Sequence, residues 1–268
     1  MKLRTLAFGL AIFVLPVLAN AQLSAPNADG VSAGHTHLYV ADVAKSREYW
    51  LSFGLTEVKS DKLKNVFSAP GMLVLLREQA PVLPSGQTSA NHIAFSVKSY
   101  DTYKAKLAAM GAKIVLDKAD TGQILADLPD GVRVEFLTMP DQVETIKFHH
   151  SHVQALDVNS VRDWYVKVFG AEVGERAGMP SAVIPGGRVD FLAARGEAPK
   201  ASKGNAIDHF GFEVTSMDAF KAKMDKLGVK FDRAPEKRDD LGLTIAFIVD
   251  PVGTNIEITQ GLAAVAKK

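Results

Sequence analysis

Histidine is confined to four short segments of the chain, and each segment opens a stretch with strand-like patterning. A single histidine at the start of a strand is usually a surface residue or a hydrogen-bonded core residue. Seven histidines restricted to four equivalent places indicate a shared function, and neutral histidine is a common metal ligand. The seven are His35, His37, His92, His149, His150, His152 and His209.

Two glutamates could complete a metal site. Glu135 and Glu257 each lie four residues after a turn glycine, in segments that are otherwise apolar. Burying a carboxylate without a partner is costly, so either a cation or an exposed sheet edge must explain each one. Strand alternation places Ile256 and Ile258 on the face opposite Glu257. Two imidazoles and one carboxylate suit Fe(II), Mn(II), Ni(II) or Zn(II) and leave positions open for substrate and water.

The composition excludes sites that need cysteine and gives no indication of a nucleic-acid or membrane partner. The chain of 268 residues has no cysteine, which excludes disulfides, thiolate metal sites and cysteine nucleophiles. Its 31 Lys and Arg residues nearly balance its 30 Asp and Glu residues, so no overall field favours nucleic acid or an anionic membrane. Neither nucleic acid nor a membrane surface is therefore an expected partner.

The first 21 residues have the layout of an export signal. Lys2 and Arg4 precede an apolar run from Leu6 to Leu18, and Ala19-Asn20-Ala21 supplies small residues at a cleavage site. The apolar run is too short for a permanent membrane anchor. We expect a mature chain that starts at Gln22, has no membrane association after signal removal, and is periplasmic or secreted.

The remaining sequence repeats itself. The segment around His35 recurs at His150 with an offset of 115 residues, and the segment around His92 recurs at His209 with an offset of 117 residues. Constant offsets over many positions indicate gene duplication. Each repeat predicts a strand, a helix and three further strands. The four modules span residues 33–83, 88–140, 147–198 and 204–261.

These residues resemble the vicinal oxygen chelate superfamily, which includes glyoxalase I, extradiol dioxygenases and bleomycin-resistance proteins. One shared motif is an Asp-Pro-x-Gly-x-x-x-Glu ending, which runs from Asp250 to Glu257 and, more loosely, from Pro129 to Glu135. The resemblance covers nearly the whole mature chain, and it implies an α+β fold of four βαβββ modules paired into two half-barrels. The other motif is a histidine seven residues before a polar residue that starts the helix, seen as His35–Asp42, His92–Ser99, His150–Asp157 and His209–Ser216.

The resemblance also implies which residues bind the metal. His37 and His152 lie two residues beyond the first histidine of their modules, on the same strand face. They are expected to support the ligands or to act as acid or base. The ligands themselves are the first histidine of each module and the two glutamates: His35, His92, His150, His209, Glu135 and Glu257.

The pairing of the modules decides which ligands meet. Pairing of neighbours would give His35/His92/Glu135 and His150/His209/Glu257, whereas cross-pairing would give His92/Glu135/His150 and His35/His209/Glu257. Both arrangements stay open. The expected division into domains follows the neighbours, residues 33–140 and 147–261, and the ligand set of the second half is favoured. Four modules complete both sites within one chain, so a monomer is expected and a homodimer is the alternative.

Alignment of the modules adds further candidates. Asp190 aligns with Glu135, so a site that includes the third module could have a fourth ligand, whereas the first module has Leu75 there. Arg133 shares a strand face with Glu135 and could pair with it in place of a metal. The candidates for a catalytic base are Glu257, Asp190 and His152.

The resemblance implies a divalent-metal-dependent enzyme that chelates two vicinal oxygens of a small molecule, as a glyoxalase-like lyase or isomerase. An Fe(II) dioxygenase is the alternative within the superfamily, but the tyrosine that extradiol dioxygenases place before the Asp-Pro turn is Phe247 here. A metal-free protein that binds a small molecule or drug is the alternative from another class. Trp50, Trp164, Tyr49 and Tyr165 lie in predicted helices and are interpreted as core residues.

Overall fold

The computed structural model describes residues 23–266. The predicted export signal, residues 1–21, lies outside the described residues. Within residues 23–266 no helix combines the length and the apolar character that a membrane span needs.

Each module contains a long first strand, one helix and three further strands, as the repeat pattern predicts. Module 1 contains β1 (Val31–Val40), α1 (Val43–Phe53), β2 (Thr56–Glu57), β3 (Val66–Ala69) and β4 (Met72–Glu78). Module 2 contains β5 (Ala90–Val97), α2 (Tyr100–Ala109), β6 (Lys113–Lys118), β7 (Gln123–Asp127) and β8 (Arg133–Thr138). Module 3 contains β9 (Ile146–Ala155), α3 (Val158–Phe169), β10 (Glu172–Arg176), β11 (Met179–Ile184) and β12 (Gly187–Ala193). Module 4 contains β13 (Ile207–Val214), α4 (Met217–Leu227), β14 (Phe231–Arg238), β15 (Leu243–Val249) and β16 (Asn255–Gln260). A 3-10 turn at Ser85–Gln87 joins modules 1 and 2, and α5 (Leu262–Val265) follows module 4.

The helices of the four modules start where the sequence predicts. The polar residue seven positions after each first histidine is the N-cap, and its side chain accepts a hydrogen bond from the backbone N–H three residues later. Such a cap contributes about 0.5–2 kcal/mol, because it satisfies a backbone donor that the first helical turn leaves free. The four caps are Asp42, Ser99, Asp157 and Ser216.

Two strand starts differ from the prediction. β1 begins at Val31 and β9 at Ile146, so His35 and His150 lie in the middle of their strands and not at the start. The backbone of β1 before His35 is held by β13, with Val31 opposite Val214. Pairing with a distant strand extends β1 beyond the segment whose own pattern is strand-like.

The chain forms two eight-stranded sheets, and neither sheet joins module 1 with module 2 or module 3 with module 4. One sheet has the order β14-β15-β16-β13-β1-β4-β3-β2, and the other has the order β10-β11-β12-β9-β5-β8-β7-β6. Modules 1 and 4 share the first sheet, and modules 2 and 3 share the second. The sheets are therefore cross-paired, and they do not follow the expected division into domains of residues 33–140 and 147–261.

Every module has its first strand at an open edge of its own four strands, and this edge must be paired to satisfy the backbone. β1 pairs antiparallel with β13, and β5 pairs antiparallel with β9. Either pairing of modules would remove the four edges, so the sequence pattern of a single module does not select between them.

Neighbouring modules still contact each other through their helices and turns. Ser46 on α1 donates a hydrogen bond of 2.6 Å to Asp130 in the turn of module 2. Tyr165 on α3 donates one of 3.0 Å to Asp250 in the turn of module 4. One hydrophobic cluster runs through all four modules. It includes buried Trp50, as predicted, while the partly buried Trp164 packs against it.

The cross-pairing can be tested by an engineered disulfide, because the chain has no cysteine of its own. Ser32 lies opposite Glu213 in the β1–β13 ladder. Residues opposite each other on antiparallel strands lie within disulfide range. The S32C/E213C variant is expected to form an internal disulfide on mild oxidation, measured as a linked peptide by mass spectrometry.

The matched control is S32C/S96C, because Ser96 is the equivalent of Glu213 in module 2. If neighbouring modules paired, Ser96 would lie opposite Ser32, whereas the structure places it opposite Lys147. A disulfide in this control and none in S32C/E213C would contradict the observed sheets.

Candidate metal centres

Two buried clusters of histidine and carboxylate side chains lie on the two sheets. We call His35, His209 and Glu257 the 1–4 site, and His92, Glu135, His150 and His152 the 2–3 site, after the modules that supply them. All six predicted metal ligands fall in these clusters. The favoured set of the second half was wrong, because cross-pairing separates His150 from His209 and Glu257.

In the 1–4 site two imidazoles converge on one carboxylate oxygen. The Nε2 atom of His35 lies 2.6 Å from Oε2 of Glu257, and Nε2 of His209 lies 2.9 Å from the same atom. The three residues come from β1, β13 and β16, which are adjacent in the sheet. Glu257 is in an interior strand and only 8% exposed, so it is not an edge residue facing water.

The support of His209 fits a ligand role. Its Nδ1 atom lies 2.5 Å from Oδ1 of Asp208, and the same oxygen accepts a hydrogen bond of 3.2 Å from Asn255. Because Nδ1–H donates to this carboxylate, a neutral His209 turns the lone pair of Nε2 towards Glu257. Two acceptors facing each other need a proton or a cation between them, and a carboxylate behind the imidazole is typical of metal-bound histidine.

His35 is positioned by packing and not by a hydrogen bond at its far nitrogen. Its Nδ1 atom is buried and has no hydrogen-bond partner. The ring lies against Gly211, where an added Cβ atom would come within 2.0–2.5 Å of three ring atoms. Gly211 is opposite His35 in the β1–β13 ladder. The absence of a side chain there makes room for the imidazole.

The surroundings of the 1–4 site are mostly uncharged. His37 lies with its ring centroid 4.8 Å from that of His209, and the ring of Phe247 lies 5.3 Å from His209 on another side. Phe247 is opposite Glu257 in the β15–β16 ladder. Leu75 is opposite His37, at the place that Asp190 has beside His152. The protein therefore supplies three ligands here, as the sequence alignment predicts.

The pKa values in the 1–4 site follow from burial and the buried carboxylates. Burial alone would raise the pKa of Glu257, but hydrogen bonds with His209 and His35 hold it well below its usual range. Burial opposes charge on His209 as well, yet Asp208 and Glu257 raise its pKa to about 9. For His37, burial and the nearby His209 lower the pKa to about 3, so its ring is neutral at pH 7.

The 2–3 site holds the equivalent residues with one more histidine. Oε2 of Glu135 lies 3.3 Å from Nε2 of His92 and 3.0 Å from Nε2 of His150. The ring of His152 stacks on that of His92 at 4.2 Å. Gln123 donates a hydrogen bond to the other oxygen of Glu135. The donor atoms are of the types that divalent transition metals bind.

Asn91 orients His92 as Asp208 orients His209. The Nδ2 atom of Asn91 donates to the carbonyl of Gly86 and to the side-chain oxygen of Gln154. This fixes Oδ1 of Asn91 towards Nδ1 of His92, at 2.8 Å. Asn91 and Asp208 are aligned in the repeats, one residue before a ligand histidine, and that signal was present in the sequence.

An arginine that no repeat pattern marks enters the 2–3 site. Arg176, at the end of β10, donates hydrogen bonds of 3.1 Å to Nε2 of His150 and to Nε2 of His152. Its Nε atom donates to Asp190 at 2.5 Å. Asp190, the predicted fourth ligand, is opposite His152 but lies 3.9 Å from the nearest ring nitrogen of either histidine. Its oxygens instead accept from Arg176, Arg188 and Ser181.

Arg133 does not pair with Glu135, the alternative to a metal that their shared strand face left open. Arg133 donates to both oxygens of Asp127, at 2.6 and 3.1 Å. Asp127 lies opposite Arg133 on β7, and cross-strand neighbours of opposite charge meet at short range. Glu135 is thus left to the imidazoles.

His150 and His152 of the 2–3 site are uncharged at neutral pH. Burial lowers the pKa of His150 to about 4, although the neighbouring Glu135 opposes this shift. Burial and the rings of His92 and His150 hold the pKa of His152 well below its usual value. Burial would raise the pKa of Glu135, but its close contacts with the rings of His150 and His92 keep it low. Neutral imidazoles can accept hydrogen bonds from Arg176.

His149, the seventh histidine, belongs to neither site. Its Nδ1 atom lies 2.7 Å from Nδ1 of His150, so it supports a member of the 2–3 site from outside. His149 also lines a groove of about 1120 Å³, together with Gly71, Phe148 and Gly187. This groove contains none of the residues of the two sites.

Two curved eight-stranded sheets, each with a buried histidine–glutamate cluster built from two βαβββ modules, define a glyoxalase-like protein with two candidate metal centres. The comparisons agree with this class. Residues 147–258 match the model of the Glyoxalase/Bleomycin resistance protein/Dioxygenase superfamily. This match covers modules 3 and 4, and it agrees with the resemblance to the vicinal oxygen chelate superfamily.

Solved structures share the fold over almost the whole chain. Glyoxalase I from Zea mays superposes with a TM-score of 0.65 at 16% identity, covering 87% of this chain and 94% of that chain. A protein from Bacillus subtilis subsp. subtilis str. 168, provisionally named a dioxygenase, superposes with a TM-score of 0.62 at 12% identity, covering 92% of each chain. Identities this low show the fold alone. No curated protein matches the sequence.

Replacing Gly211 should disturb the 1–4 site selectively. The Gly211→Ala variant is expected to displace the ring of His35 and to weaken metal binding by about tenfold or more, the range in which supporting groups act. The fold should tolerate the change, because Ala94 occupies the equivalent position opposite His150. The measurement is a competition titration with Zn(II) and a chromogenic chelator.

Ala94→Gly is the matched control and should leave this affinity unchanged. Wild-type Zn(II) affinity in a folded Gly211→Ala variant would contradict the positioning role of Gly211.

Proposed function

We propose that the protein is a divalent-metal-dependent enzyme that binds a small molecule through two vicinal oxygens at the 1–4 site and performs a glyoxalase-like lyase or isomerase reaction. The observation that carries the proposal is the convergence of His35 and His209 on one oxygen of buried Glu257. The superfamily match and the shared fold with glyoxalase I support it.

The donor set leaves room for the substrate. His35, His209 and Glu257 supply three ligands, and the apolar Leu75 stands where a fourth acidic ligand would come from. A bound divalent ion would act as a Lewis acid towards two adjacent substrate oxygens. Asp208 keeps the ring of His209 in its orientation.

The candidates for a base at this site are Glu257 and His37. Glu257 was predicted from the sequence, whereas the other two predicted bases, Asp190 and His152, lie in the 2–3 site. His37 is neutral at pH 7, because burial lowers its pKa to about 3, and it lies beside His209. Because a pKa this low makes His37 a weak base, its ring is suited to accept a hydrogen bond from the substrate, and Glu257 is the first candidate for the base. Phe247, whose ring lies 5.3 Å from that of His209, has no proton to exchange with a substrate.

A second candidate function is an Fe(II)-dependent dioxygenase. A set of two histidines and one carboxylate with open positions is the ligand pattern of non-haem Fe(II) oxygenases. The neighbour provisionally named a dioxygenase shares the fold. The ring of Phe247 at 5.3 Å from His209 argues against catechol cleavage, because it offers no hydroxyl group for proton transfer.

Metal analysis of untagged protein purified without chelators tests the metal-dependent function. We expect bound Fe, Mn, Ni or Zn, and turnover within a panel of α-hydroxyketones and vicinal diols. The His209→Ala variant should lose the 1–4 metal ion, and kcat should fall by at least about 100-fold because the reaction loses its Lewis acid. The matched variant His92→Ala should keep both.

The reaction class follows from the same assay under nitrogen. Unchanged turnover without oxygen supports the lyase or isomerase, and turnover that requires oxygen supports the dioxygenase. Both metal-dependent functions would be rejected by a protein that contains less than about 0.2 equivalents of metal and takes up no Fe(II), Mn(II), Ni(II) or Zn(II). A set of two histidines and one carboxylate that serves as a metal site binds such ions. That result would leave a metal-free small-molecule-binding protein.

We also propose that the protein is exported and acts as a monomer. The basic start and the apolar run of residues 1–21 support export, and each site is complete within one chain. Expression of the full chain in a Gram-negative host should yield periplasmic protein whose N-terminal sequencing starts at Gln22. Retention of Met1 in the cytoplasmic fraction would contradict this proposal.

A further inference from the structure

We propose that Arg176 is the resident cation of the 2–3 site and excludes a metal ion from it, so that the chain binds one metal ion, at the 1–4 site. This inference does not depend on the reaction proposed above. It concerns His150, a predicted ligand, and His152, a predicted supporting residue, because a guanidinium group contacts both.

The ring nitrogens that would face a metal are already used. The Nη2 atom of Arg176 lies 3.1 Å from Nε2 of His150 and 3.1 Å from Nε2 of His152. Each of these nitrogens has one lone pair, which can accept a hydrogen bond or bind a metal but not do both. With Arg176 in place, the cluster keeps only His92 and Glu135 free.

Arg176 is held by a dedicated anchor. Its Nε atom donates to Asp190, whose carboxylate is fully buried and also accepts from Arg188 and Ser181. Its backbone is fixed too, because Arg176 is opposite Met179 in the β10–β11 ladder. Movement of Arg176 would leave a buried carboxylate short of donors, which is costly. Asp190 is therefore an anchor of Arg176 and not a fourth metal ligand.

The guanidinium group of Arg176 brings a fixed positive charge into the 2–3 site. A divalent ion among His92, Glu135, His150 and His152 would be repelled by this fixed charge at short range in a buried site. The buried carboxylate of Glu135 already has a positive group nearby.

The 1–4 site has no such group. Within residues 23–266, no lysine or arginine donates a hydrogen bond or forms an ion pair with His35, His209 or Glu257. The position of Asp190 is taken by Leu75, so an arginine there would have no equivalent anchor. The two sites therefore differ in the cation that they can accept.

Equilibrium dialysis of untagged protein against Zn(II), followed by metal analysis, tests the inference. Zn(II) uptake is read in the His209→Ala background, where the 1–4 site is broken. His209→Ala alone should bind no Zn(II), and the Arg176→Ala/His209→Ala variant should bind one equivalent. The Arg176→Gln/His209→Ala variant should also bind one equivalent of Zn(II). Its glutamine amide keeps a hydrogen-bond donor near Asp190, so this variant serves if the alanine variant does not fold.

Arg188→Ala/His209→Ala is the matched control, because Arg188 also donates to Asp190 but forms no hydrogen bond with an imidazole. It should bind no Zn(II). Adding His150→Ala to the Arg176→Gln/His209→Ala variant should abolish binding of this Zn(II) ion, which would show that the ion binds at the 2–3 site.

Two results would overturn the inference. One is a His209→Ala protein that binds one Zn(II) with Arg176 present and loses it on adding His92→Ala. The other is failure of both Arg176 variants, folded by circular dichroism, to bind Zn(II) in the His209→Ala background. Neither result rejects the proposed function. That function is rejected by a different result, the failure of the wild-type protein to bind metal.

Discussion

The antiparallel pairing of β1 with β13, and of β5 with β9, is the constraint on which both candidate sites depend. These four strands carry the predicted histidine ligands, and the ladders place His37 opposite His209 and His152 opposite His92. A register shift of one residue would turn every side chain of a strand to the other face and disperse both clusters. The backbone hydrogen bonds that close the sheets therefore also assemble the sites.

Each sheet buries one glutamate. Because burial of an isolated carboxylate is costly, the surrounding residues of each site must provide a positive charge near that glutamate. In the 1–4 site the positive partner is a histidine, His209, whose proton can be exchanged for a metal ion. In the 2–3 site a guanidinium group is nearby and cannot leave. One duplicated arrangement thus reaches charge balance in two ways, and only one of them leaves the ligand positions of the cluster available.

The repeats show how the two halves of the duplication diverged at equivalent positions. Gly211 makes room for His35, whereas Ala94 is opposite His150. Phe247 lies opposite Glu257, whereas Leu125 lies opposite Glu135. These differences affect the space and polarity around the sites and not the strands themselves. A common scaffold with two different sites is what duplication followed by separate change would produce.

The sequence by itself determined the module, its helix caps and the residue types of the sites, because strand alternation, N-cap chemistry and constant offsets are local properties of the chain. It identified all seven residues that form the two clusters, six of them as ligands and His152 as a supporting residue or base. It could not determine which modules pair, since either pairing removes the open strand edges, and so it placed His150 with His209 wrongly. The entry of Arg176 was equally hidden: its contacts depend on where β10 ends relative to β9, a distance that only the packed sheet sets.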